Sequence, residues 1–130
     1  MFLDTSIIIE IFSNDQKTKT FQEIYKHIKD EPLFISLIQI GEISDWCLKN
    51  NVDPEKRITK LKQILNVIPL NEKICYEAAH IKYTIRKKSK SVAKFGLLDG
   101  IILASARSIN QRLLTTDSDF RTIEDAVGIR

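Results

Sequence analysis

The feature that most constrains the fold is a short apolar segment that stops at a carboxylate. Residues 1–3 are Met, Phe and Leu, and Asp4 follows them directly. If this segment is a central strand, Asp4 lies at its carboxyl end, which is the edge where open α/β sheets bind their ligands. We therefore expect other parts of the chain to bring polar side chains to this same edge.

Short strands and helices alternate along the rest of the chain. Further strands are predicted at residues 33–35, 67–70 and 113–116, with an edge strand at 127–129. Apolar residues at helical spacing predict helices over residues 18–29, 37–50, 54–65 and 72–88, and a further helix is predicted over 97–109. The apolar run at residues 7–12 could extend the first strand or open a short helix; we favour the helix, followed by a turn at 13–16. The alternation predicts an α/β fold, a three-layer α/β/α arrangement with a parallel sheet of about five strands. At 130 residues, we expect one domain spanning residues 1–130.

Two helix starts carry recognisable capping residues. Ser36 is followed by Gln39 at the spacing of a capping box, which places Glu42 in the second turn of its helix. Asp53 and Pro54 match an N-cap residue followed by a first-turn proline. The positions of these helices relative to the strands therefore follow from local sequence.

Two glycines stand beside acidic residues inside predicted helices. Gly41 precedes Glu42, and Gly100 follows Asp99. A glycine within a helix costs roughly 1 kcal/mol relative to alanine. Close backbone approach around the acids and tight helix packing are two explanations for that cost, and the sequence does not choose between them.

The composition is that of an ordinary globular protein, with 43% hydrophobic and 28% charged residues. Its longest apolar runs are interrupted by Asp4, Glu10 and Asp99, too early for a membrane span, and no signal peptide is recognisable. We therefore expect a cytoplasmic protein. The net charge of +3 does not identify a nucleic-acid binder, but residues 78–98 contain no acid and six cations. These are Lys82, Arg86, Lys87, Lys88, Lys90 and Lys94.

The cysteines and histidines do not predict a zinc site or a disulfide. Cys47 and Cys75 are far apart and fall at apolar positions of helical patterns, so we expect both to be reduced thiols in the core. His27 and His80 lie on separate predicted helices. Metal binding, if present, must therefore depend on carboxylates.

Four acids share an unusually apolar setting. Each acid also has an ordinary structural explanation. Asp4 could cap a turn, and Asp117 could form one. Glu42 could lie on a solvated helix face, and Asp99 could interact with a helix dipole. However, each follows or lies within an apolar stretch, where an unpaired carboxylate is costly. Their shared setting favours a common site at the sheet edge.

Carboxylates gathered at one point repel each other, and cations relieve that repulsion. Hard carboxylate oxygens suit Mg²⁺ or Mn²⁺, which bind proteins through a few carboxylates together with substrate phosphate. A cation held this way can activate water for attack on a phosphodiester. The pattern therefore favours hydrolysis of a nucleic-acid backbone.

Four motifs, taken in order, resemble a known family. They are Asp4-Thr5-Ser6, Ser36 with Glu42 six residues later, the run from Leu98-Asp99-Gly100 to Ala106, and residues 114–120 with Thr115, Asp117 and Asp119. This ordered set, which spans essentially the whole chain, is similar to the PIN-domain ribonucleases and, by size, to the VapC-type toxins among them. The resemblance implies a divalent-metal-dependent endoribonuclease, a toxin of a toxin–antitoxin pair.

By this resemblance, the metal-binding and catalytic acids are Asp4, Glu42, Asp99 and Asp117. Asp119 competes with Asp117 for the last position, because some relatives carry their final acid immediately before the phenylalanine. Ser6 and Thr115 match hydroxyl positions that arrange ligands or water around the site. Thr116 departs from the family pattern, since many relatives carry arginine or asparagine there.

The resemblance also implies partners: a homodimer, an RNA substrate and a cognate antitoxin that blocks the site. The cations Arg86, Lys87, Lys88 and Lys90 fit a surface that contacts RNA phosphates, although a solvated charged tail explains them equally well. Two alternatives stay open for the whole chain. One is an RNA-processing nuclease of the same fold without an antitoxin, and the other is a catalytically silent RNA- or protein-binding module.

Overall fold

The computed structural model describes residues 1–13, 17–88 and 94–129. Within them the strands are β1 (Phe2–Leu3), β2 (Phe34–Ser36), β3 (Asn66–Ile68), β4 (Leu113–Thr115) and β5 (Ala126–Gly128). The helices are α1 (Thr5–Ser13), α2 (Lys19–Ile28), α3 (Leu37–Lys49), α4 (Pro54–Leu61), α5 (Glu72–Lys88) and α6 (Leu97–Ser108), with a 3₁₀ turn at Ser118–Phe120. The predicted turn at residues 13–16 lies largely outside the described residues.

The strands form one parallel sheet of five strands in the order β3-β2-β1-β4-β5. Strand β1 lies in the middle, where Phe2 pairs with Phe34 on one side and with Leu113 on the other. Asp4 continues this pairing, because its N–H donates to the Leu114 carbonyl at 2.9 Å. The predicted sheet, and the position of Asp4 at its carboxyl edge, are confirmed.

Both faces of the sheet are buried, which makes the fold three-layered. Adjacent strand residues point to opposite faces. Leu3 and Leu114 pack in a cluster with α1, α2 and α3, whereas Phe2 and Leu113 pack in a second cluster with α6. Full burial of such a side chain contributes roughly 1.5–3 kcal/mol, so packing on both faces stabilises a central strand of only two residues.

The predicted helix starts are confirmed. Ser36 caps α3, its Oγ accepts the Ile38 N–H at 3.3 Å, and its own N–H donates to Gln39 Oε1 at 2.7 Å. Asp53 caps α4 and Pro54 occupies its first turn. Glu42 therefore lies in the second turn of α3, as the capping box predicts.

The structure corrects the prediction for one cysteine. Cys47 is buried and Cys75 is exposed, and both are free thiols. Cys75 lies on α5 one residue beyond Ile74, and Ile74 and Ala78 form the buried stripe of that helix. One residue turns a helix by about 100°, which carries Cys75 out of the core. No helix in the described part of the chain is long and apolar enough to cross a bilayer.

The two glycines have different surroundings. A Cβ at Gly100 would lie 2.5 Å from the Ala78 carbonyl oxygen, so tight packing of α6 on α5 explains this glycine. A Cβ at Gly41 meets no atom within 4 Å, and Gly41 is exposed. Neither close approach nor tight packing within the described residues explains Gly41.

We therefore expect opposite effects from two matched substitutions. Gly100→Ala is expected to lower the free energy of unfolding by about 1–3 kcal/mol, because the new methyl group overpacks the contact with Ala78. Gly41→Ala is expected to raise it by about 0.5–1 kcal/mol, because alanine favours the helix and meets open space. Urea unfolding of both variants checks this, and a destabilised Gly41→Ala protein would show that the space is not open.

Candidate metal centre

Asp4 is the most buried of the candidate acids, with 5% of its surface exposed. One carboxylate oxygen accepts the Thr5 N–H at 2.9 Å. The other accepts the Ser6 hydroxyl at 2.9 Å and the Thr115 hydroxyl at 2.6 Å. Burial raises the pKa of Asp4, the two hydroxyl bonds oppose the rise, and the charge of Asp117 adds to it.

The hydroxyls of Ser6 and Thr115 connect the ends of two neighbouring strands. Ser6 Oγ accepts the Thr116 N–H at 3.1 Å, and Thr115 Oγ1 accepts the Asp117 N–H at 2.9 Å. Because each hydroxyl also donates to Asp4, the backbone after β4 is held against the carboxylate that follows β1. This arrangement fixes the path of the backbone as it leaves β4, and hence the position of the Asp117 backbone.

Glu42 lies on α3 and is half-buried. Its Oε1 accepts the Thr5 hydroxyl at 2.8 Å, so it does not lie on a fully solvated helix face. Burial raises the pKa of Glu42, the Thr5 bond opposes the rise, and the charge of Asp99 adds to it. The charges of Glu42 on α3 and Asp99 on α6 therefore act on each other across two different helices.

Asp99 lies in the first turn of α6, where its Oδ2 accepts the Gly96 N–H at 2.8 Å. Asp99 therefore has the ordinary structural role of an acid in the first turn of a helix, which is to interact with the helix N-terminus. Burial raises the pKa of Asp99 to about 6, with further contributions from the charges of Asp4, Asp117 and Asp119. These three carboxylates come from other parts of the chain, so Asp99 also belongs to a larger group of acids.

Asp117 caps the 3₁₀ turn that follows β4. Its Oδ1 accepts the Asp119 N–H at 2.9 Å, which confirms that it forms a turn. Asp117 and Asp119 are both half-buried. The charge of Asp117 acts on Asp4 and Asp99, whereas the charge of Asp119 acts on Asp99.

We call the five carboxylates, Asp4, Glu42, Asp99, Asp117 and Asp119, the acid cluster. Their charges act on one another, and for three of them burial and like charges favour the protonated form. A divalent cation removes this repulsion, and carboxylate oxygens are the donors that Mg²⁺ and Mn²⁺ prefer. The donor set therefore fits such an ion. Within residues 1–13, 17–88 and 94–129, however, no three acidic, histidine or cysteine side chains are arranged so that they could hold a metal ion together in this structure.

The predicted phosphate-contacting cations lie at the end of α5. Arg86 Nε donates to the Phe95 carbonyl at 2.7 Å, and the Lys87 ammonium lies 4.6 Å from the centre of the Tyr83 ring. Lys88 is exposed at the last position of the helix, and Lys90 lies outside the described residues. Arg86 therefore connects α5 to the segment that enters α6, the helix that carries Asp99.

A cavity of about 720 Å³ lies elsewhere in the described part of the chain and is not the candidate site. It lies between α5 and residues 122–125, where Arg107 pairs with Asp125, and none of the acid cluster lines it. The acid cluster is a candidate site because of its charges and not because of this cavity.

Two residues near the acid cluster were not among the sequence candidates for the site. Thr5 contacts both Asp4 and Glu42, and Gln39 is a fully buried residue that donates to Thr5 and to the Leu3 carbonyl. The sequence predicts only the capping role of Gln39, because a capping box does not indicate what the other end of the amide contacts.

Comparison with known proteins identifies the family. The family model of the PIN domain matches residues 1–126. A toxin–antitoxin complex from Klebsiella pneumoniae contains a similar chain, with 26% identity, a TM-score of 0.74, and 97% of this chain and 94% of that chain covered. VapBC-1 from nontypeable Haemophilus influenzae shows 27% identity and a TM-score of 0.68, with coverages of 96% and 92%.

A third structure, VapBC2 from Rickettsia felis bound to a DNA fragment from its promoter, shares the fold at 18% identity and a TM-score of 0.68, with coverages of 97% and 94%. No curated protein sequence matches the chain. The PIN family model nevertheless covers nearly all of it, and the five-stranded parallel sheet is consistent with that match. The chain therefore belongs to the PIN domain family.

Proposed function

We propose that this protein is a divalent-metal-dependent endoribonuclease, a VapC-type toxin of a toxin–antitoxin pair. The observation that carries the proposal is the acid cluster, in which burial and like charge raise the pKa values of Asp4, Glu42 and Asp99. Such an arrangement costs stability unless a cation offsets it. The family match supports the proposal, because PIN domains are typically nucleases.

The residues have distinct roles in this proposal. Asp4, Glu42 and Asp99 hold Mg²⁺ or Mn²⁺, and Asp117 is favoured over Asp119 as the fourth acid because its charge acts on both Asp4 and Asp99. Ser6 and Thr115 hold the Asp4 carboxylate through their hydroxyls. When bound, the cation supplies activated water and offsets charge on the scissile phosphodiester.

The overall reaction is hydrolysis of one phosphorus–oxygen bond of RNA. Water adds to phosphorus, the bond to the leaving oxygen breaks, and that oxygen takes up a proton. The chain contributes fixed orientation, because the Asp4 carboxylate accepts three hydrogen bonds and Asp99 is held by the Gly96 N–H. Preorganised charge of this kind is an effective way to stabilise a transition state.

A cleavage assay on the purified protein tests the proposal. We expect RNA to be cut at internal positions with Mg²⁺ or Mn²⁺ and to remain intact with a chelator. RNA that is bound but uncut with either metal favours a silent RNA-binding module. No action on RNA under any of these conditions would contradict the nuclease proposal.

The antitoxin and homodimer are proposed partners. The similar chains at 26% and 27% identity come from structures described as a toxin–antitoxin complex and as VapBC-1. Several large apolar side chains on different elements are exposed, which is compatible with more than one protein interface. They include Tyr25, Leu37, Leu48, Tyr76 and Tyr83, which are 48–67% exposed.

The neighbouring reading frame separates the two nuclease alternatives. A small protein encoded immediately upstream that inhibits the cleavage supports the toxin assignment. Its absence favours an RNA-processing nuclease without an antitoxin. The cytoplasmic location stays a prediction.

We propose that the cations after Tyr83 contact RNA phosphates, and a salt titration tests this. The logarithm of RNA affinity is plotted against the logarithm of salt concentration. Replacing Lys87, Lys88 and Lys90 with glutamine is expected to make the slope of this plot shallower by about 2, since each phosphate contact on a single strand contributes roughly 0.7. RNA binding is measured in a chelator, so that no cleavage occurs.

A matched variant controls for net charge in this titration. Lys29, Lys60 and Lys62 are exposed and lie on other elements, and their replacement with glutamine removes the same charge. The control is expected to keep the wild-type slope. Equal slopes for the wild type and the triple variant would show that Lys87, Lys88 and Lys90 belong to a solvated tail.

A further inference from the structure

A buried amide connects the start of α3 to the end of β1. Gln39 has no exposed surface. Its Oε1 accepts the Ser36 N–H at 2.7 Å, and its Nε2 donates to the Leu3 carbonyl at 2.7 Å. Because one end of an amide accepts and the other donates, these two partners fix the orientation of the side chain.

The same amide group reaches Thr5. Gln39 Nε2 lies 3.2 Å from Thr5 Oγ1 and donates to it. A hydroxyl carries a single proton, and with Gln39 acting as the donor in this contact, the Thr5 proton is directed to Glu42 Oε1 at 2.8 Å. The direction of the hydrogen bond to Glu42 therefore follows from the orientation of Gln39.

Thr5 also contacts a second acid. Its backbone N–H donates to Asp4 Oδ1 at 2.9 Å, while its hydroxyl donates to Glu42. Only 7% of Thr5 is exposed, so these bonds are largely shielded from water. One residue thus joins the carboxylate that follows β1 to the carboxylate carried by α3.

We propose that Thr5 and Gln39 are positioning residues that orient the Glu42 carboxylate in the acid cluster. The proposal rests on the metal centre of the proposed function and adds to it two residues that bind no metal themselves. Side chains that hold metal ligands in place typically change metal affinity 10- to 100-fold when they are altered. Thr5 and Gln39 act on the metal through Glu42.

A purely structural role explains only part of this geometry. Capping of α3 requires Gln39 Oε1, which accepts the Ser36 N–H. It does not require Nε2 to reach Thr5, nor Thr5 to reach Glu42. A structural role predicts a loss of stability alone, whereas a positioning role predicts a loss of metal affinity that depends on Glu42.

Calorimetric titration with Mn²⁺ in the absence of RNA measures this affinity directly. Thr5→Val removes the hydroxyl with little change in volume and is expected to weaken Mn²⁺ binding about 10-fold. Thr5→Ser keeps the hydroxyl and is expected to stay within about threefold of wild type, which keeps the test valid if Thr5→Val unfolds. Thermal unfolding in a chelator reports the stability of each variant.

A matched threonine elsewhere provides the control. Thr59 is exposed on α4, and its hydroxyl donates to the Glu55 carbonyl at 2.7 Å. Thr59→Val removes the same group without touching the acid cluster and is expected to leave Mn²⁺ affinity unchanged. A similar loss in Thr59→Val and Thr5→Val would overturn the positioning role.

A double-mutant cycle shows whether Thr5 and Gln39 act through Glu42. In a Glu42→Gln background, Thr5→Val or Gln39→Met is expected to change the remaining Mn²⁺ affinity by less than about twofold, because the group they orient is already lost. Full additivity would overturn the proposal. Unchanged affinity in Thr5→Val, with normal binding by the wild type, overturns this role alone. Wild-type protein that binds no Mn²⁺ overturns the proposed metal centre as well.

Discussion

Replacement of Asp4 or Asp99 with asparagine is expected to lower metal-dependent RNA cleavage by on the order of 100-fold or more while the protein stays folded. Each change removes a negative charge from the acid cluster but almost no volume. Asparagine can still accept hydrogen bonds, so the Ser6 and Thr115 hydroxyls keep a partner at position 4. The Gly96 N–H likewise keeps a partner at position 99.

The initial cleavage rate of an RNA with Mg²⁺ or Mn²⁺ measures this effect. Asp45→Asn serves as the matched control, because Asp45 is exposed and its carboxylate pairs with Lys49 at 2.9 Å on the surface of α3. The control is expected to cleave at the wild-type rate. Full cleavage by both the Asp4 and Asp99 variants would show that these two acids do not bind the catalytic metal.

The second large effect is expected in the stability of the metal-free protein, which should fall as the pH rises from about 4 to about 6. Burial raises the pKa of Asp99 to about 6 in the folded protein, above the ordinary value of 3.8. The folded state then binds more protons than the unfolded state in this interval, so the contribution of Asp99 is present below pH 4 and lost through pH 6. The pKa values of Asp4 and Glu42 are raised in the same direction.

Asp99→Asn isolates this contribution. The variant is expected to be more stable than wild type at pH 7 in a chelator by on the order of 1 kcal/mol, allowing for screening of a half-exposed group, and equal to it near pH 4. The hydrogen bond from Arg107 lowers the pKa of Asp125, so Asp125 changes the stability with pH in the opposite direction. Because Asp125 is present in both proteins, its contribution cancels in the difference between variant and wild type. Urea unfolding at several pH values gives both curves.

Metal addition provides the complementary measurement. A cation that binds only the folded protein adds about 2.7 kcal/mol at 100 times its dissociation constant. We expect Mn²⁺ to stabilise the wild type strongly at pH 7 and weakly at pH 4.5, where protons compete for the carboxylates.

In the metal-free experiment, parallel curves of stability against pH for wild type and Asp99→Asn would contradict the assignment of the raised pKa to Asp99.

Much of the fold could be predicted from sequence because its signals are local. The apolar segment before Asp4, the capping residues Ser36 and Asp53, and the periodic helices each depend on neighbouring residues, and all are observed. The errors are small shifts at element ends and the position of Cys75. That cysteine follows a buried position of α5, and a local pattern distinguishes adjacent positions poorly.

The candidate site was less accessible to sequence reasoning because its contacts are long-range. The acids could be selected by their apolar setting, and their roles stay a prediction. The bond from Thr5 to Glu42 spans 37 residues, and the bond from Thr115 to Asp4 spans 111. No periodicity reports contacts of that kind. Gln39 shows the limit most clearly, since its capping role is local and its contact with Thr5 is not.

The central position of β1 has a consequence for the order of events during synthesis. One neighbour of β1 is β2, which leaves the ribosome soon after it, but the other is β4, which begins at Leu113. Until that late segment is made, one edge of β1 lacks its partner and Asp4 lacks the Thr115 hydroxyl. A nascent chain therefore carries Asp4 long before it can complete the surroundings of that acid, and the site forms only after β4 has been made.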